Sequence, residues 1–431
     1  MTEPAPFADT TGALAVRAGR LLDVESGEAT PDRVLLVRDA RIEALLGPDD
    51  SLPDGTPVVD LSGLTVLPGL IDTHSHLVGE VQTAGVPATT TTGAQEALLS
   101  VRNARVTLEA GFTTVRDLGA FRAFTDLALR DTINAGEVEG PRMQGAGAFI
   151  TAPSGGGDVV GLAPDIRLPE ELRFGVVTSP AEVRERVRRL LIGGSDVIKC
   201  IGTGAVLTRG GVPGAPELSE KELRAAVREA AHYDRFVAVH AHGAEGARRA
   251  IRAGARSVEH GSMLDRDTVA MLADSGTYLG VDLFDGEWAL AEGNAVGWPA
   301  DTMRKLRETM DTGIAAFRWA VEAGVRITYS TDSGVYPHEL VARQFDTYVR
   351  FGMPALTAIR SATVTAAECL GWEDRVGTLR PGRFADLVAV DGNPLDDVRL
   401  LEAPVAVMKG GRLAVDRRAE IAGSTPVIRG A

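Results

Sequence analysis

The middle of the chain alternates short apolar runs with longer segments whose apolar residues recur at helical spacing. Eight runs predict strands, at 67–77, 112–118, 143–150, 196–201, 236–242, 256–260, 277–283 and 325–331. Helices are predicted between and after them, at 94–110, 123–135, 180–193, 219–232, 245–253, 265–275, 302–323 and 339–350. Strand-then-helix alternation is typical of a parallel sheet, and eight units favour a (β/α)8 TIM barrel of the α/β class.

The two flanking regions show a different pattern, with short β-type segments separated by turn residues. Residues 13–66 and 376–415 both have this character, and neither set of strands is large enough to bury a core alone. We therefore expect the two ends to pair as one small β-sandwich domain, formed by residues 1–67 and 372–431. Residues 68–371 would form the barrel between them.

Composition and charge exclude several classes of protein. The formal net charge of −14 argues against a nucleic-acid binder. No apolar stretch approaches the length of a membrane span, and residues 1–9 lack the features of a secretory signal. The two cysteines, Cys200 and Cys369, cannot form a disulfide framework, so we expect buried thiols and a cytoplasmic location. No glycine-rich phosphate-binding motif follows the first strand.

The histidines carry the strongest chemical signal, since five of the seven lie at the ends of predicted strands. His74 and His76 end the first strand, His240 and His242 end the fifth, and His260 ends the sixth. Barrel active sites form at the carboxyl ends of the strands, and residues i and i+2 of a strand point to the same face. A lone histidine is usually structural, but this constellation predicts a metal site, and imidazole suits zinc or iron.

Two further residues belong to the same end of the predicted barrel. Asp332 ends the eighth strand, where a carboxylate can bind a metal and take a proton from water, or simply cap a helix. Lys199 lies inside the apolar fourth strand, where a cation is expensive to bury. It is either neutralised by a carboxylate partner, chemically altered or catalytic.

These residues lie in phrases that resemble the metal-dependent amidohydrolase superfamily, in the branch of imidazolonepropionase-like enzymes and Xaa-Pro dipeptidases. The phrases are PGLIDTHSH at 68–76, GFTTVRD at 111–117, VIK at 197–199, HAHG at 240–243, SVEHG at 257–261, STD at 330–332 and GTLRPGRFADLV at 377–388. The resemblance runs from about residue 13 to 415 and is far more specific for the superfamily than for the substrate.

The resemblance implies a site with two divalent ions, expected to be zinc. His74, His76 and Asp332 would bind one ion, and His240 and His260 would bind the other. Lys199 would carry a carbamate derived from CO2 that bridges both ions, whereas imidazolonepropionases lack this lysine. The implied reaction is attack of an activated water on a carbonyl, with Asp332 as the proton acceptor and donor.

The role of His242 stays open between two alternatives. It shares a strand face with His240, so it could donate a hydrogen bond to the substrate or to the developing oxyanion. Alternatively, it supports the metal ligands without touching the substrate.

Substrate contacts are predicted less sharply. Related dipeptidases carry a histidine in the glycine-rich loop 151–158, and this chain departs from that pattern with Gly157. Arg209, in the loop after the fourth strand, is a candidate for binding a substrate carboxylate, as an alternative to simple solvation. Tyr233 and Trp288 are candidate pocket walls, although aromatic residues more often serve packing.

The favoured hypothesis is that the protein hydrolyses a small amide, either a dipeptide (Xaa-Pro or similar) or an N-acyl amino acid. The alternatives are opening of a lactam-like ring, hydrolysis of a lactone or phosphotriester, and a catalytically silent scaffold. Neither a nucleic acid nor a membrane is expected as a partner. The resemblance implies a homo-oligomer.

Overall fold

The computed structural model describes residues 7–78, 87–163 and 165–422; residues 1–6 and 423–431 of the expected β domain lie outside this range. The strands are β1 (Ala13–Leu22), β2 (Ala29–Arg38), β3 (Arg41–Leu46), β4 (Val58–Pro68), β5 (Leu70–Ser75), β6 (Phe112–Asp117), β7 (Arg142–Gly145), β8 (Phe149–Ile150), β9 (Val197–Ile201), β10 (Phe236–Gly243), β11 (Ser257–Met263), β12 (Tyr278–Val281), β13 (Ile327–Tyr329), β14 (Leu387–Val390), β15 (Ala406–Lys409) and β16 (Arg412–Asp416).

The helices lie mainly between the strands of the middle region. They are α1 (Pro87–Thr90), α2 (Gly93–Glu109), α3 (Thr125–Asn134), α4 (Pro180–Ile192), α5 (Glu220–Ala231), α6 (Ala244–Ala253), α7 (Arg266–Ser275), α8 (Phe284–Glu292), α9 (Ala300–Glu322), α10 (Gln344–Arg350), α11 (Ala355–Ser361), α12 (Val364–Leu370) and α13 (Arg418–Ala422), with 3-10 helices at Glu170–Leu172, His338–Arg343 and Val398–Glu402. Within the described ranges, none of these helices combines the length and apolar character needed to cross a bilayer.

Strands from both ends of the chain pair in one seven-stranded sheet, in the order β16-β15-β14-β4-β1-β2-β3. The connection between the ends is antiparallel pairing of β14 with β4, which places Leu387 opposite Pro68 and Val390 opposite Thr65. One face of the sheet buries its own apolar cluster, which includes Val16, Leu35 and Met408. Neither end therefore has to bury a core alone.

The strands between these ends are all parallel and lie in two sheets, one of six strands (β13-β12-β11-β10-β9-β8) and one of three (β5-β6-β7). Hydrogen bonds join the segment after β13 to the end of β5. The amide of Asp332 donates to the carbonyl of His74 at 2.8 Å, and the amide of His76 donates to the carbonyl of Ser333 at 2.9 Å. These bonds hold the ends of the first and last parallel strands together, at the site described below.

The predicted third strand, 143–150, was wrong as a single element. It is divided into β7, which pairs with β6, and β8, which pairs with β9 in the other sheet. The interruption falls at Gly147, whose φ of +82° lies in the left-handed region that interrupts a strand. The amide of Gly147 donates to the Asp126 carboxylate at 2.8 Å instead of to a neighbouring strand.

Two other elements also differ from their predicted boundaries. The predicted strand 277–283 ends at Val281, and the helix α8, which was not predicted, begins at Phe284. The predicted helix 339–350 consists of a 3-10 turn followed by α10. In both places the apolar residues were recognised, but their local hydrogen bonding was not visible in the periodicity.

Candidate active site

His74, His76 and Asp332 converge at the junction of β5 with the segment after β13. Nε2 of His74 lies 3.2 Å from Oδ1 of Asp332, and Nε2 of His76 lies 3.1 Å from the same oxygen. Two imidazoles and one carboxylate therefore aim at a common point, as the i, i+2 spacing on the first strand predicted. The potential ligand atoms of these residues lie within 4.8 Å of one another, close enough to hold a metal ion.

The backbone of Asp332 is specialised for this position. Its φ is +51°, in a region that non-glycine residues seldom occupy, and such strain is frequent at functional sites. The next helical element, His338–Arg343, has Pro337 as its N-cap, so Asp332 does not cap it. The helix-cap alternative for Asp332 was therefore wrong, and its carboxylate is held in place by His74 and His76.

A second group forms beside the first, from His240, His242 and His260, whose ligand atoms also lie within 4.8 Å of one another. The His240 and His260 rings are 4.3 Å apart between centroids, and the His74 and His260 rings are 4.9 Å apart. His260, like Asp332, has a positive φ, of +72°. The two groups are thus contiguous and together contain all five histidines predicted at strand ends.

Lys199 lies between the two groups, in the middle of β9. The residue is only 2% exposed, and its Nζ is 3.2 Å from Nε2 of His74. The Nζ thus faces an imidazole, and no direct ion pair joins it to a carboxylate of the described residues. Burial lowers the pKa of Lys199 to about 8, against the opposing charges of Glu259 and Asp332. The amine is therefore unusually easy to deprotonate.

The Nδ1 atoms of four histidines face protein oxygen atoms. His76 faces the carbonyl of Gly119 at 2.8 Å, His242 the hydroxyl of Ser262 at 2.5 Å, His260 the Asp282 carboxylate at 2.6 Å, and His74 the Glu259 carboxylate at 3.3 Å. A carbonyl or carboxylate partner places the ring proton on Nδ1 and leaves the lone pair on Nε2. Such support is typical of histidines that bind metals through Nε2.

Glu259 is itself held by Arg116, a contact that sequence reasoning missed. Arg116 is 1% exposed, and its guanidinium donates to Oε1 of Glu259 at 2.9 Å and to the carbonyl of Thr73 at 2.6 Å. Thr73 and Glu259 directly precede His74 and His260 in sequence. The signal that could have revealed this role is a pair of opposite charges inside two apolar strands.

The electrostatics of the site favour neutral imidazoles at three histidines and an ionised carboxylate at Asp332. Burial opposes protonation of His76, but its hydrogen bond to Asp332 and the charge of that carboxylate together outweigh burial and raise the pKa of that imidazole. Burial lowers the pKa of His74, His240 and His242 well below the usual histidine value, which leaves their lone pairs free. Burial opposes ionisation of Asp332, but His74 and His76 outweigh it and hold the pKa of that carboxyl well below its usual range.

The donor set fits divalent metal ions. Among the described residues, Nε2 of His240 is buried without a hydrogen-bond partner, which is costly for a polar atom. Imidazole nitrogens together with a carboxylate suit zinc and iron. Asp282 also lies within ligand distance of His260 and Asp332. It was missed, although it follows the seventh strand much as Asp332 follows the eighth.

A cavity of about 150 Å³ opens above these residues. Of the four weaker substrate-contact predictions, only Gly157 lines it. Arg209 is exposed on its loop beside Gly161 and is not part of the lining. Tyr233 is exposed at the turn before β10, at the opposite end of that strand from His240. Trp288 packs against the rings of Trp298 and Tyr336 instead of the cavity.

Comparison with known proteins agrees with this geometry. The Amidohydrolase family model matches residues 65–414. An ochratoxinase from Aspergillus niger is 30% identical over 422 residues, covering 92% of this chain and 86% of the ochratoxinase. An Xaa-Pro dipeptidase with methionine bound in its active site has a TM-score of 0.87 at 36% identity, covering 93% of this chain and 99% of that chain.

A prolidase complexed with N-methylphosphonate-L-proline has the same TM-score, 0.87, at 28% identity, with coverage of 94% of this chain and 100% of that chain. These similarities confirm the resemblance inferred from the strand-end phrases and give the parallel strands a fold of the TIM-barrel type. The chain belongs to the amidohydrolase family and is a hydrolase that acts on C–N bonds.

Proposed function

We propose that this chain is a binuclear metal-dependent amidohydrolase that cleaves the amide bond of a dipeptide or an N-acyl amino acid. The observation that carries the proposal is the position of Lys199 between two contiguous ligand groups, with its Nζ 3.2 Å from Nε2 of His74. A site for one ion would have no need of a second group of histidines or of a buried lysine beside the first.

In this arrangement His74, His76 and Asp332 would hold one ion, and His240 and His260 would hold the other. Lys199 would react with CO2, lose a proton and carry a carbamate as a shared ligand. The carbamate would replace a buried cation, which would repel both ions, with an anion that has two donor oxygens. The support for this is the burial of Lys199 and its lack of an ion-paired carboxylate among the described residues.

Bound divalent ions, which we propose are zinc, would lower the pKa of a water molecule and polarise the scissile carbonyl. Asp332, whose Oδ1 already faces two imidazoles, would take the proton of that water and pass it to the leaving nitrogen. His242 has its Nδ1 on Ser262 and lines the cavity, so its other nitrogen is available to the substrate carbonyl oxygen.

The similarity to an Xaa-Pro dipeptidase, a prolidase and an ochratoxinase supports a small amide as the substrate. Opening of a lactam-like ring and hydrolysis of a lactone or phosphotriester are the competing activities of such a site.

The proposal extends to the architecture and setting of the molecule. The parallel strands β5–β13 close into one (β/α)8 barrel within residues 68–371, and residues 1–67 and 372–431 form the composite β-sandwich. The hydrogen bonds between β5 and the segment after β13 support the closure. We further propose a homo-oligomer in a reduced cytoplasm, where the buried thiols of Cys200 and Cys369 stay free.

The test is a mass-spectrometric screen of zinc-loaded protein against dipeptides and N-acyl amino acids, with and without chelator. We expect two metal ions per chain and chelator-sensitive release of an amino acid. Loaded protein that cleaves no member of the panel, but opens cyclic amides or hydrolyses lactones or phosphotriesters, would replace the proposed reaction. Loaded protein without any hydrolytic activity would overturn it.

A further inference from the structure

We propose that the cavity above the site selects amides that carry a large apolar group, an aromatic or branched aliphatic side chain, next to the scissile bond. The inference rests on the proposed function and adds the substrate class to it. Six apolar residues form the walls on which the argument depends, and we call them the apolar walls: Phe149, Ile201, Leu283, Trp298, Leu306 and Met310.

Phe149 and Ile201 form the first wall, which lies next to His76. The Phe149 ring meets the His76 ring edge-on, with 5.8 Å between centroids, and it meets the Phe121 ring at 5.3 Å. A Cβ added at Gly157 would lie 2.8 Å from Cβ of Phe149 and 3.0 Å from Cγ1 of Ile201. Position 157 therefore has room only for glycine. The apolar side chains of Phe149 and Ile201 fill the space that a polar side chain at this position would need.

The second wall is formed by the segment that follows β12, which contains α8 and α9. Leu283, Trp298 and Leu306 are each no more than 9% exposed, and all three line the cavity. Lys305 of α9 fixes this wall, because its Nζ donates to the carbonyl of Thr208 at 3.1 Å and pairs with Asp301 at 3.0 Å. The helix is thereby held against the loop that follows β9.

The width of the cavity at this wall depends on Gly286, which has no side chain. A Cβ added at Gly286 in α8 would lie 2.6 Å from Sδ of Met310. Since the thioether is the flexible end of its side chain, a larger residue at position 286 would displace Met310. Gly286 and Met310 together therefore set the space available to the substrate.

The charges of the lining agree with an apolar occupant. Lys199 is the one lysine or arginine among the described residues that line the cavity. The lining carboxylates Asp158 and Asp282 are engaged with Arg173 and His260. An acidic side chain between the apolar walls would have no counter-ion, and burying an unpaired charge is costly. A basic side chain, which Asp285 could attract, is the competing occupant.

The test compares kcat/KM of zinc-loaded protein for N-acetyl derivatives of alanine, leucine, phenylalanine, lysine and glutamate. We expect leucine and phenylalanine to exceed alanine, by about threefold to fourfold per buried methylene equivalent. Lysine and glutamate should be poorer than leucine. Equal values across the apolar series, or a preference for lysine, would overturn the inference while leaving the proposed function intact.

Variants locate the effect at the second wall. Gly286→Ala should reduce kcat/KM for the phenylalanine derivative about tenfold more than for the alanine derivative, because it narrows the cavity. Adding Met310→Ala to that variant should restore kcat/KM for the phenylalanine derivative. Leu98→Ala, at a side chain that is 74% exposed on α2, is the matched control and should change neither value. Equal losses for both substrates in Gly286→Ala would contradict the assignment.

If no amide is cleaved, the proposed function fails. The preference of the cavity for an apolar side chain is then tested separately by measuring amino-acid binding. Calorimetric titration with L-phenylalanine, L-alanine and L-lysine should then give the tightest binding for L-phenylalanine. Binding of L-alanine or L-lysine as tight as that of L-phenylalanine would overturn the apolar assignment.

Discussion

Oε2 of Glu259 lies 3.3 Å from Nδ1 of His74, and neither atom has a hydrogen-bond partner among the described residues. Both side chains are 1% exposed or less, and Arg116 holds the other oxygen of the carboxylate. The contact can therefore set the orientation of the first histidine of the site. We therefore expect Glu259 to act as a positioning residue for His74.

We expect Glu259→Gln to weaken metal binding about tenfold to a hundredfold, the usual effect of losing a carboxylate behind a metal-bound histidine. The amide keeps the shape of the side chain and an oxygen for Arg116. Competition with a chromogenic chelator measures the affinity, and thermal unfolding of metal-free protein checks the fold. Glu245→Gln, on the surface of α6, is the control. Unaltered metal affinity would show that Glu259 only packs.

Lys199→Ala should remove the bridging ligand and lose most of the bound metal and nearly all activity. Metal content by mass spectrometry and hydrolysis of the best substrate check this together. Because the substitution leaves space at the site, added acetate should restore part of both signals. A variant that keeps two ions and wild-type turnover would exclude the bridging role.

Asp332→Asn should lower kcat by about a hundredfold or more, the scale of general acid–base effects. The amide cannot accept the proton of the attacking water, although it retains much of the local hydrogen bonding. Steady-state kinetics of the variant loaded to the same metal content gives the comparison. Turnover within a factor of two of the wild type would rule out proton transfer by Asp332.

His338 should make the fold sensitive to acid. Burial lowers the pKa of this imidazole to about 3, so the unfolded chain binds a proton between about pH 6.5 and pH 3 that the folded chain does not. Stability is therefore lost as the pH falls through this window. The contribution is about 2 kcal/mol between pH 7 and pH 5.

His338→Gln removes this titrating group. Denaturant unfolding of metal-free wild type and variant at both pH values measures the difference. We expect a smaller pH dependence in the variant. Parallel losses of stability in the two proteins would assign the acid sensitivity to other groups.

Sequence patterns predicted the histidine-rich half of the candidate site because its residues lie at the ends of recognisable strands. Five histidines, Asp332 and Lys199 each mark a strand or strand end, and parallel strands carry such residues to one side. The walls of the cavity were missed because they depend on contacts between distant elements. Trp288 and Trp298 are residues of the same type in the same segment, yet of the two only Trp298 lines the cavity. The third strand is divided at Gly147, whose positive φ and hydrogen bond to Asp126 are not visible in the periodicity.

The pairing of β14 with β4 has a consequence for how the protein is made. β4 leads directly into β5, which carries His74, but its partner β14 leaves the ribosome only after every strand of the parallel sheets. Until then one edge of β4 has unpaired backbone groups, and exposed edges invite association with other chains. Closing so long a loop also slows folding. The first histidines of the site thus acquire their final support among the last events of biosynthesis.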